Sequence, residues 1–190
     1  MSFPFNERKS IQLAAIFLNM RGGEMKHLKL IKLMYLADRE ALKRWGHSIT
    51  GDRYISMDKG PVLSNVLNLI HDERNPNQTV TGLVWSDCIQ ESDNHNVKLV
   101  RKPTAEPLSK AEIELAEEIF NMYGSVNRWK LVEMTHGFPE YTKPTEGKKG
   151  IPIHHLALLK ILGKTEQEAK SLCAYGQSVK RTHQLLSLNA

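Results

Sequence analysis

The sequence contains eight histidines, two cysteines and a Gly-Lys-Thr triplet, residue types that can supply ligands, nucleophiles and phosphate contacts. The triplet 163–165 is similar to the end of a phosphate-binding loop, but Leu158 stands where that loop requires its first glycine. His154 and His155 are adjacent, so they do not share a helix face as zinc ligands at i and i+4 would. No GxSxG, HExxH or dinucleotide-binding glycine pattern is present. We therefore expect no catalytic residues, no metal and no cofactor, and we do not expect the protein to be an enzyme. A catalytic site assembled from residues dispersed along the chain would leave no such pattern, so that alternative remains open.

One carboxylate interrupts an apolar stripe and needs a partner. Asp38 continues a helical series at steps of three and four, whose other members are Ile31, Tyr35, Leu42 and Trp45. A buried carboxylate must accept hydrogen bonds or pair with a cation. We predict that Asp38 contacts the turn or strand at Thr50–Tyr54, with Arg53 and the turn amides as candidate donors. The alternative is an acid at the helix edge, paired with a neighbour.

The element that positions Asp38 is a helix predicted from about His27 to Trp45. Good helix formers dominate this stretch, and Gly46 suits the left-handed residue that closes many helices. Most of its circumference is apolar, which is typical of a helix packed on several sides. Four charged residues share one narrow stripe: Lys29, Lys32, Glu40 and Lys43. We expect this helix to be central and the most buried.

Shorter elements follow the central helix. Tyr54–Met57 alternates as a strand does, the segment 58–60 reads as a turn, and Pro61 suits the first position of a helix over Pro61–Asp72. A hairpin is predicted from Thr79–Gln90 and Asn96–Val100, and with the first strand it would form one small antiparallel sheet. Trp85 is interpreted as a core or edge anchor.

The remaining segments read as helices with recognisable caps. Asn6 caps a helix ending near Met20, and Ser109 with Glu112 forms a capping box. Two further helices are predicted at Ile153–Leu162 and Thr165–Leu186, and Thr165 is a candidate cap of the second, with Glu168 three residues on. The fold class is therefore α+β and predominantly helical, with a helical core around one central buried helix and a small antiparallel sheet. We expect residues 1–190 to form a single domain, with a flexible loop at 143–150.

Composition indicates an ordinary globular protein with an uneven charge distribution. The 190 residues are 41% hydrophobic and 25% charged, with a net charge of +5. Residues 141–190 hold eight Lys/Arg against three Asp/Glu, whereas residues 103–140 hold three against seven. Cys88 and Cys173 have no CxxC partner, which argues against a disulfide framework. With no signal peptide and no long apolar run, we expect a cytoplasmic protein that does not enter a membrane.

Several sequence blocks carry a family resemblance. Three of them are Lys29 to Asp38, Thr50 to Tyr54, and Lys59-Gly60-Pro61-Val62. The fourth, YGSVNRWKLVEMTHGFPEY at 123–141, is a tryptophan helix that ends in Thr-His before a proline. In order and spacing these blocks resemble the signature of the Panacea domain, the SocA-like antitoxin family, over nearly the whole chain. The family often has an acid before this proline, where the present chain has Phe138.

The resemblance implies an antitoxin that neutralises a cognate toxin protein by direct contact, or by delivering it to a cellular protease. Five signature residues in turns are candidates for partner contact: Asp52, Arg53, Lys59, Gly60 and Pro61. Turns on a rigid scaffold often carry recognition residues. For Gly60 and Pro61 the competing interpretation is that they only shape the turn.

The alternative function is a nucleic-acid-binding transcriptional regulator, phage- or prophage-associated, because antitoxins often repress their own operons. A DNA-binding protein usually has a denser basic cluster than this chain, and no separate helix-turn-helix precedes the signature blocks. We therefore do not expect nucleic acid as a partner.

Overall fold

The structure, a computed structural model, describes residues 3–71, 84–103 and 107–188. The helices in these ranges are α1 (Glu7–Met20), α2 (His27–Trp45), α3 (Ser64–Ile70), α4 (Trp85–Cys88), α5 (Lys110–Tyr123), α6 (Arg128–His136), α7 (His155–Ile161) and α8 (Glu166–Leu188). The strands are β1 (Glu24–Lys26), β2 (Tyr54–Met57), β3 (Gly60–Leu63), β4 (Ile89–Ser92), β5 (Asn96–Leu99) and β6 (Ile151–Ile153). The predicted fold class, α+β and predominantly helical, is confirmed.

Helix α2 lies at the centre of the fold and has the predicted bounds. Twelve of its 19 residues are buried, and α1, α5, α6 and β3 all contact it. Its end is closed by Gly46, which has φ of 76° and donates its N–H to the carbonyl of Leu42. The left-handed conformation at this position is the reason that a glycine suits it.

The helix caps predicted from the sequence are confirmed. The Asn6 side chain accepts a hydrogen bond from the N–H of Lys9 at the start of α1. Ser109 and Glu112 form the capping box of α5. A similar reciprocal pair joins Thr165 and Glu168 at the start of α8. These local bonds satisfy amides that have no partner within their own helix, so short-range sequence signals sufficed to find them.

The strands form two sheets, so the prediction of one small sheet is wrong. One sheet has the order β1-β5-β4 and the other β3-β2-β6, and every pairing is antiparallel. The predicted hairpin exists only as β4 and β5, because Trp85–Cys88 is helical, and residues 79–83 lie outside the described ranges. Trp85 is buried, as expected of a core anchor. Alternation of apolar and polar residues indicates a strand but not which strands pair with each other. Strands β1 and β6 have three residues each, too few for the alternation to be recognised in the sequence.

Pro61 does not begin a helix, which corrects the predicted Pro61–Asp72 element. It lies in β3 opposite Ser56, and the helix starts only at Ser64. Strand β3 is at the edge of its sheet, where proline's missing N–H removes no necessary ladder bond. Asp72, the predicted last residue, lies outside the described ranges.

The C-terminal part begins with a strand rather than with the predicted helix. Residues Ile151–Ile153 pair with β2, and α7 starts at His155. Segment 143–150 contains no helix or strand. Helix α8 then runs to Leu188 and packs against α7.

Cys88 and Cys173 are both free thiols. None of the helices in the described ranges is both long enough and apolar enough to cross a membrane.

Candidate partner-binding surface

Asp38 is fully buried and fixes the turn after α2. Its carboxylate accepts the N–H groups of Ile49 and Thr50, each at 3.0 Å, and the Thr50 hydroxyl. The Tyr54 hydroxyl lies 3.4 Å away. Burial raises the pKa of Asp38 to about 7, against the opposing effect of these hydrogen bonds. The predicted contact with Thr50–Tyr54 is confirmed, and the donors are turn amides and hydroxyls rather than Arg53.

Asp52 is also buried and joins the same turn to α3. One carboxylate oxygen accepts the N–H of Arg53 at 2.6 Å and of Asn65 at 2.9 Å, and the other accepts the N–H of Val66 at 2.9 Å. The residue before α3 is Leu63, which has no capping side chain, so Asp52 supplies the cap from a distance in sequence. Burial raises the pKa of Asp52 to about 6. Its carboxylate faces the protein interior.

The β2–β3 hairpin places Lys59 outside and Gly60 and Pro61 inside. Gly60 is buried with φ of 87°, and a Cβ there would lie 2.7 Å from Thr135 Oγ1 and 2.8 Å from Lys32 Nζ. The Pro61 carbonyl accepts a hydrogen bond from Lys32 Nζ at 2.7 Å. Gly60 and Pro61 therefore face helices α2 and α6, and Lys59 at the turn is exposed.

Two lysines of the charged stripe on α2 are buried, which the sequence did not predict. Lys32 is 0% exposed and Lys29 7% exposed. The Lys29 ammonium donates to the carbonyls of Gly124 at 2.5 Å and Val126 at 2.8 Å. Burial lowers the pKa of Lys32 to about 7. These side chains attach α2 to the segment between α5 and α6 and to β3.

An exposed tryptophan lies beside the hairpin turn. Trp129, near the start of α6, is 52% exposed. The Lys59 ammonium lies 5.7 Å from the centroid of its ring, and the Arg128 guanidinium lies 5.2 Å from it. We call these three residues the tryptophan patch. Trp129 and Val132 are three residues apart on α6, but only Val132 is buried.

Arg53 lies at the other end of β2, in an open cleft of about 540 Å³. The cleft is lined by residues from β2, β6, α7 and α8, among them Tyr54, Ile153, His155, Lys180 and Arg181. Burial lowers the pKa of His155 to about 4. Four residues of β2 separate Arg53 from the hairpin turn, which is about 13 Å of extended chain. The structure therefore does not gather Arg53 and Lys59 into one cluster.

The loop after α6 is held by an acid on the far side of the proline. Glu140 accepts hydrogen bonds from Arg39 Nε at 2.5 Å and from the Tyr35 hydroxyl at 2.8 Å. The Arg39 guanidinium also lies 4.2 Å from the centroid of the Phe138 ring. Phe138, which stands where the family often has an acid, thus takes part in the same contact with α2. The ring of His136 stacks on that of Tyr141, with the two ring centroids 4.4 Å apart.

Side chains able to bind a metal ion meet elsewhere, at the start of α2. His27, Glu91 and His95 each place a ligand atom within 4.8 Å of the others. No sequence motif marks this group, because His27 lies 64 residues before Glu91 along the chain.

Comparison with known proteins gives one match. Residues 30–141, more than half of the chain, match the family model described as antitoxin SocA-like, Panacea domain. The matched range includes α2 from Leu30 onward, both signature turns, the tryptophan patch and Glu140. No curated protein and no solved structure matches the chain.

Proposed function

Because the chain belongs to the antitoxin SocA-like, Panacea domain family, we propose that it neutralises a cognate toxin protein by stoichiometric binding. The observation that supports a binding role is the tryptophan patch. Trp129 is half-exposed, with Arg128 and Lys59 beside its ring. Tryptophan and arginine are enriched among the few residues that supply most of the binding energy of protein interfaces. The proposed partner surface is therefore centred on Trp129, Lys59 and Arg128.

The predicted site residues take different parts in this proposal. Lys59 contacts the toxin directly, and Arg53 forms a second, peripheral contact at the other end of β2. Gly60 and Pro61 hold the hairpin against α2 and α6, so that Lys59 projects at the turn. Asp52 bonds only to backbone amides in the contacts described above, so it keeps the turn in shape rather than touching the partner.

Co-expression with the product of the adjacent gene tests the proposal. We expect rescue of growth by the wild-type chain and a co-purifying complex. Trp129→Ala and Lys59→Glu should each weaken the complex about tenfold or more, since truncation of a central interface residue commonly removes over 1.4 kcal/mol. Both residues are exposed, so neither variant should lose much thermal stability.

The matched control is Lys110→Glu, which makes the same charge change at an exposed position on α5. An acid in the first turn of a helix is tolerated, so this variant should fold and bind as the wild type does. The antitoxin proposal fails if the neighbouring product is harmless or if its toxicity is unaffected by this chain. The assignment to the tryptophan patch fails if Trp129→Ala and Lys110→Glu bind equally well.

The fate of the bound toxin separates two ways of neutralising it. Occlusion of the toxin leaves its cellular half-life unchanged or longer. Delivery to a protease shortens that half-life, and only in cells that contain the protease. Following toxin decay after synthesis is stopped, with and without the wild-type chain, distinguishes the two.

A further inference from the structure

Three side chains with metal-binding chemistry meet where the β1-β5-β4 sheet joins α2. His27 is the first residue of α2, Glu91 lies in β4, and His95 ends the turn between β4 and β5. Their nearest imidazole nitrogens and carboxylate oxygen all lie within 4.8 Å of one another. Two imidazoles and one carboxylate are a ligand set suited to Zn²⁺ and similar divalent transition ions, whereas Mg²⁺ and Ca²⁺ prefer oxygen ligands alone.

Strand register places these residues together. Lys26 in β1 pairs with Asn96 in β5, so continuing the antiparallel register by one residue sets His27 opposite His95. Glu91 pairs with Val97 on the other side of β5. The Lys26 ammonium donates to the carbonyl of Asn94 at 2.5 Å, which ties the turn to β1. The pairing of three strands therefore brings the backbones of these three residues together.

The turn that carries His95 has an unusual backbone. Asn94 and His95 have φ values of 57° and 60°, in the left-handed region that residues other than glycine seldom adopt. In this conformation His95 lies beside His27, with the two ring centroids 5.6 Å apart.

His27 offers a nitrogen that the protein does not otherwise use. Its Nδ1 is buried, and among the described residues no group forms a hydrogen bond with it. An unpaired buried nitrogen is unfavourable, and a coordinated cation would satisfy it. The His71 ring packs on His27 with centroids 5.4 Å apart, so it restrains the ring on the side of α3.

We propose that His27, Glu91 and His95 bind one divalent transition-metal ion of the Zn²⁺ type, with water completing the coordination. Ligand atoms around Zn²⁺ lie roughly 3.4 Å apart, so the side chains must close by about 1 Å on binding. Glu91 and His95 are exposed, which gives the ion access and the side chains freedom to move. Bound there, the ion links the β4–β5 turn to the first turn of the central helix and stabilises the folded state.

Calorimetric titration of Zn²⁺ into the untagged, chelator-treated full-length chain tests the proposal. We expect one site per chain and a melting temperature that rises with Zn²⁺. His95→Asn removes a ligand while keeping a residue that tolerates the left-handed backbone, and Glu91→Gln removes the carboxylate charge at constant shape. Each should weaken binding at least about tenfold, since even loss of a supporting group around a metal commonly costs that much.

His154→Asn, at an exposed histidine outside the group, is the control and should bind as the wild type does. Absorption of the Co²⁺-loaded chain provides a second readout, because a tetrahedral site with nitrogen ligands gives bands that the variants should lose. The proposal is overturned if the wild type shows no single site. It is also overturned if Glu91→Gln and His95→Asn, folded by circular dichroism, bind Zn²⁺ as tightly as His154→Asn.

Discussion

Charged side chains buried in the interior are the main residue-scale feature of this protein. Asp38, Asp52 and Lys32 are each 0% exposed, and the hydrogen bonds described for them join them to backbone groups and to the hydroxyls of Thr50 and Tyr54 rather than to opposite charges. Removing a group of this kind leaves its partners unsatisfied in a medium that cannot solvate them. Such side chains hold a turn or hairpin in one backbone conformation, and this conformation sets the positions of the exposed residues beside them.

Replacing Asp38 by alanine should destabilise the protein by about 3 kcal/mol, because two buried amides and the Thr50 hydroxyl lose their acceptor. For a chain of this size the melting temperature should fall by roughly 6–12 °C, which thermal unfolding followed by circular dichroism measures. Glu117→Ala, at an exposed acid on α5, is the control. An Asp38→Ala variant that melts with the wild type would rule out this structural role.

Lys32 should make stability depend on pH. Its pKa is about 7 in the folded protein and 10.5 ordinarily, so between these values the folded state binds fewer protons than the unfolded state. Stability contributed by this group therefore rises with pH through that window, by at most about 1.4 kcal/mol per pH unit, and is lowest below pH 7. Urea unfolding of wild type and Lys32→Met at several pH values isolates the effect, since other titrations cancel in the difference.

The expected result for Lys32 is that the wild type gains stability relative to Lys32→Met as the pH is raised from about 7 to 9.5. The corresponding difference for Lys43→Met, at an exposed position on the same helix, should stay flat. A difference for Lys32→Met that does not change over this range contradicts the assignment.

At the scale of elements, contacts with helices α2 and α6 fix the position of the β2–β3 hairpin. Gly60 sits against α6 and the end of Lys32, and Pro61 presents its carbonyl to the same ammonium. The hairpin turn consequently emerges beside Trp129 on α6. The tryptophan patch thus depends on the packing of two elements far apart in sequence.

Alanine substitutions at two glycines separate backbone strain from crowding. Gly60 and Gly147 have φ values of 87° and 82°, but only Gly60 has atoms within 4 Å of a new Cβ. The left-handed backbone should lower the free energy of unfolding of both alanine variants by about 1–2 kcal/mol each. Gly60→Ala should lose roughly 1–3 kcal/mol more, because its Cβ would overpack against Thr135 and Lys32. Equal melting temperatures for the two variants would show that Gly60 is not crowded.

Across the whole molecule, charge is distributed unevenly. Basic residues of α8 line the cleft near Arg53, and Lys59 and Arg128 flank Trp129. These surfaces lie at opposite ends of β2, whereas a protein that reads DNA presents a continuous basic stripe or an inserted element. That residues 1–190 unfold as a single domain remains a prediction, for which one cooperative transition is the expected signature.

We predict that the chain does not select a nucleic-acid sequence. Electrophoretic mobility shift with the operator region of its own gene, and with a scrambled duplex of equal length, should give equal and weak binding at physiological salt. That weak binding should fall steeply as salt is raised, since it rests on contacts with phosphates alone. A preference of a thousandfold or so for the operator would instead support the regulator interpretation.

Much of the fold follows from local sequence. Some features were predictable because each depends on residues close together along the chain. They are the bounds of α2, the caps of α1, α5 and α8, the strand β2, and the need of Asp38 for donors near Thr50. The family resemblance was visible for a similar reason, since its blocks are contiguous stretches of sequence. The family is confirmed over residues 30–141, a shorter range than the nearly whole chain to which the resemblance was assigned.

Tertiary structure alone decided the rest. Four features depend on contacts between segments that are distant in the sequence. They are the pairing of β2 with β6, the burial of Lys29 and Lys32, the contact of Lys59 with Trp129, and the group formed by His27, Glu91 and His95. A lysine on a helix is expected to face solvent unless the positions of carbonyls that could accept its hydrogen bonds are known. Strand alternation does not indicate which strand is the pairing partner. The sequence therefore determined the family and the longer helices, while packing determined the short strands and which side chains became surface, scaffold or ligand.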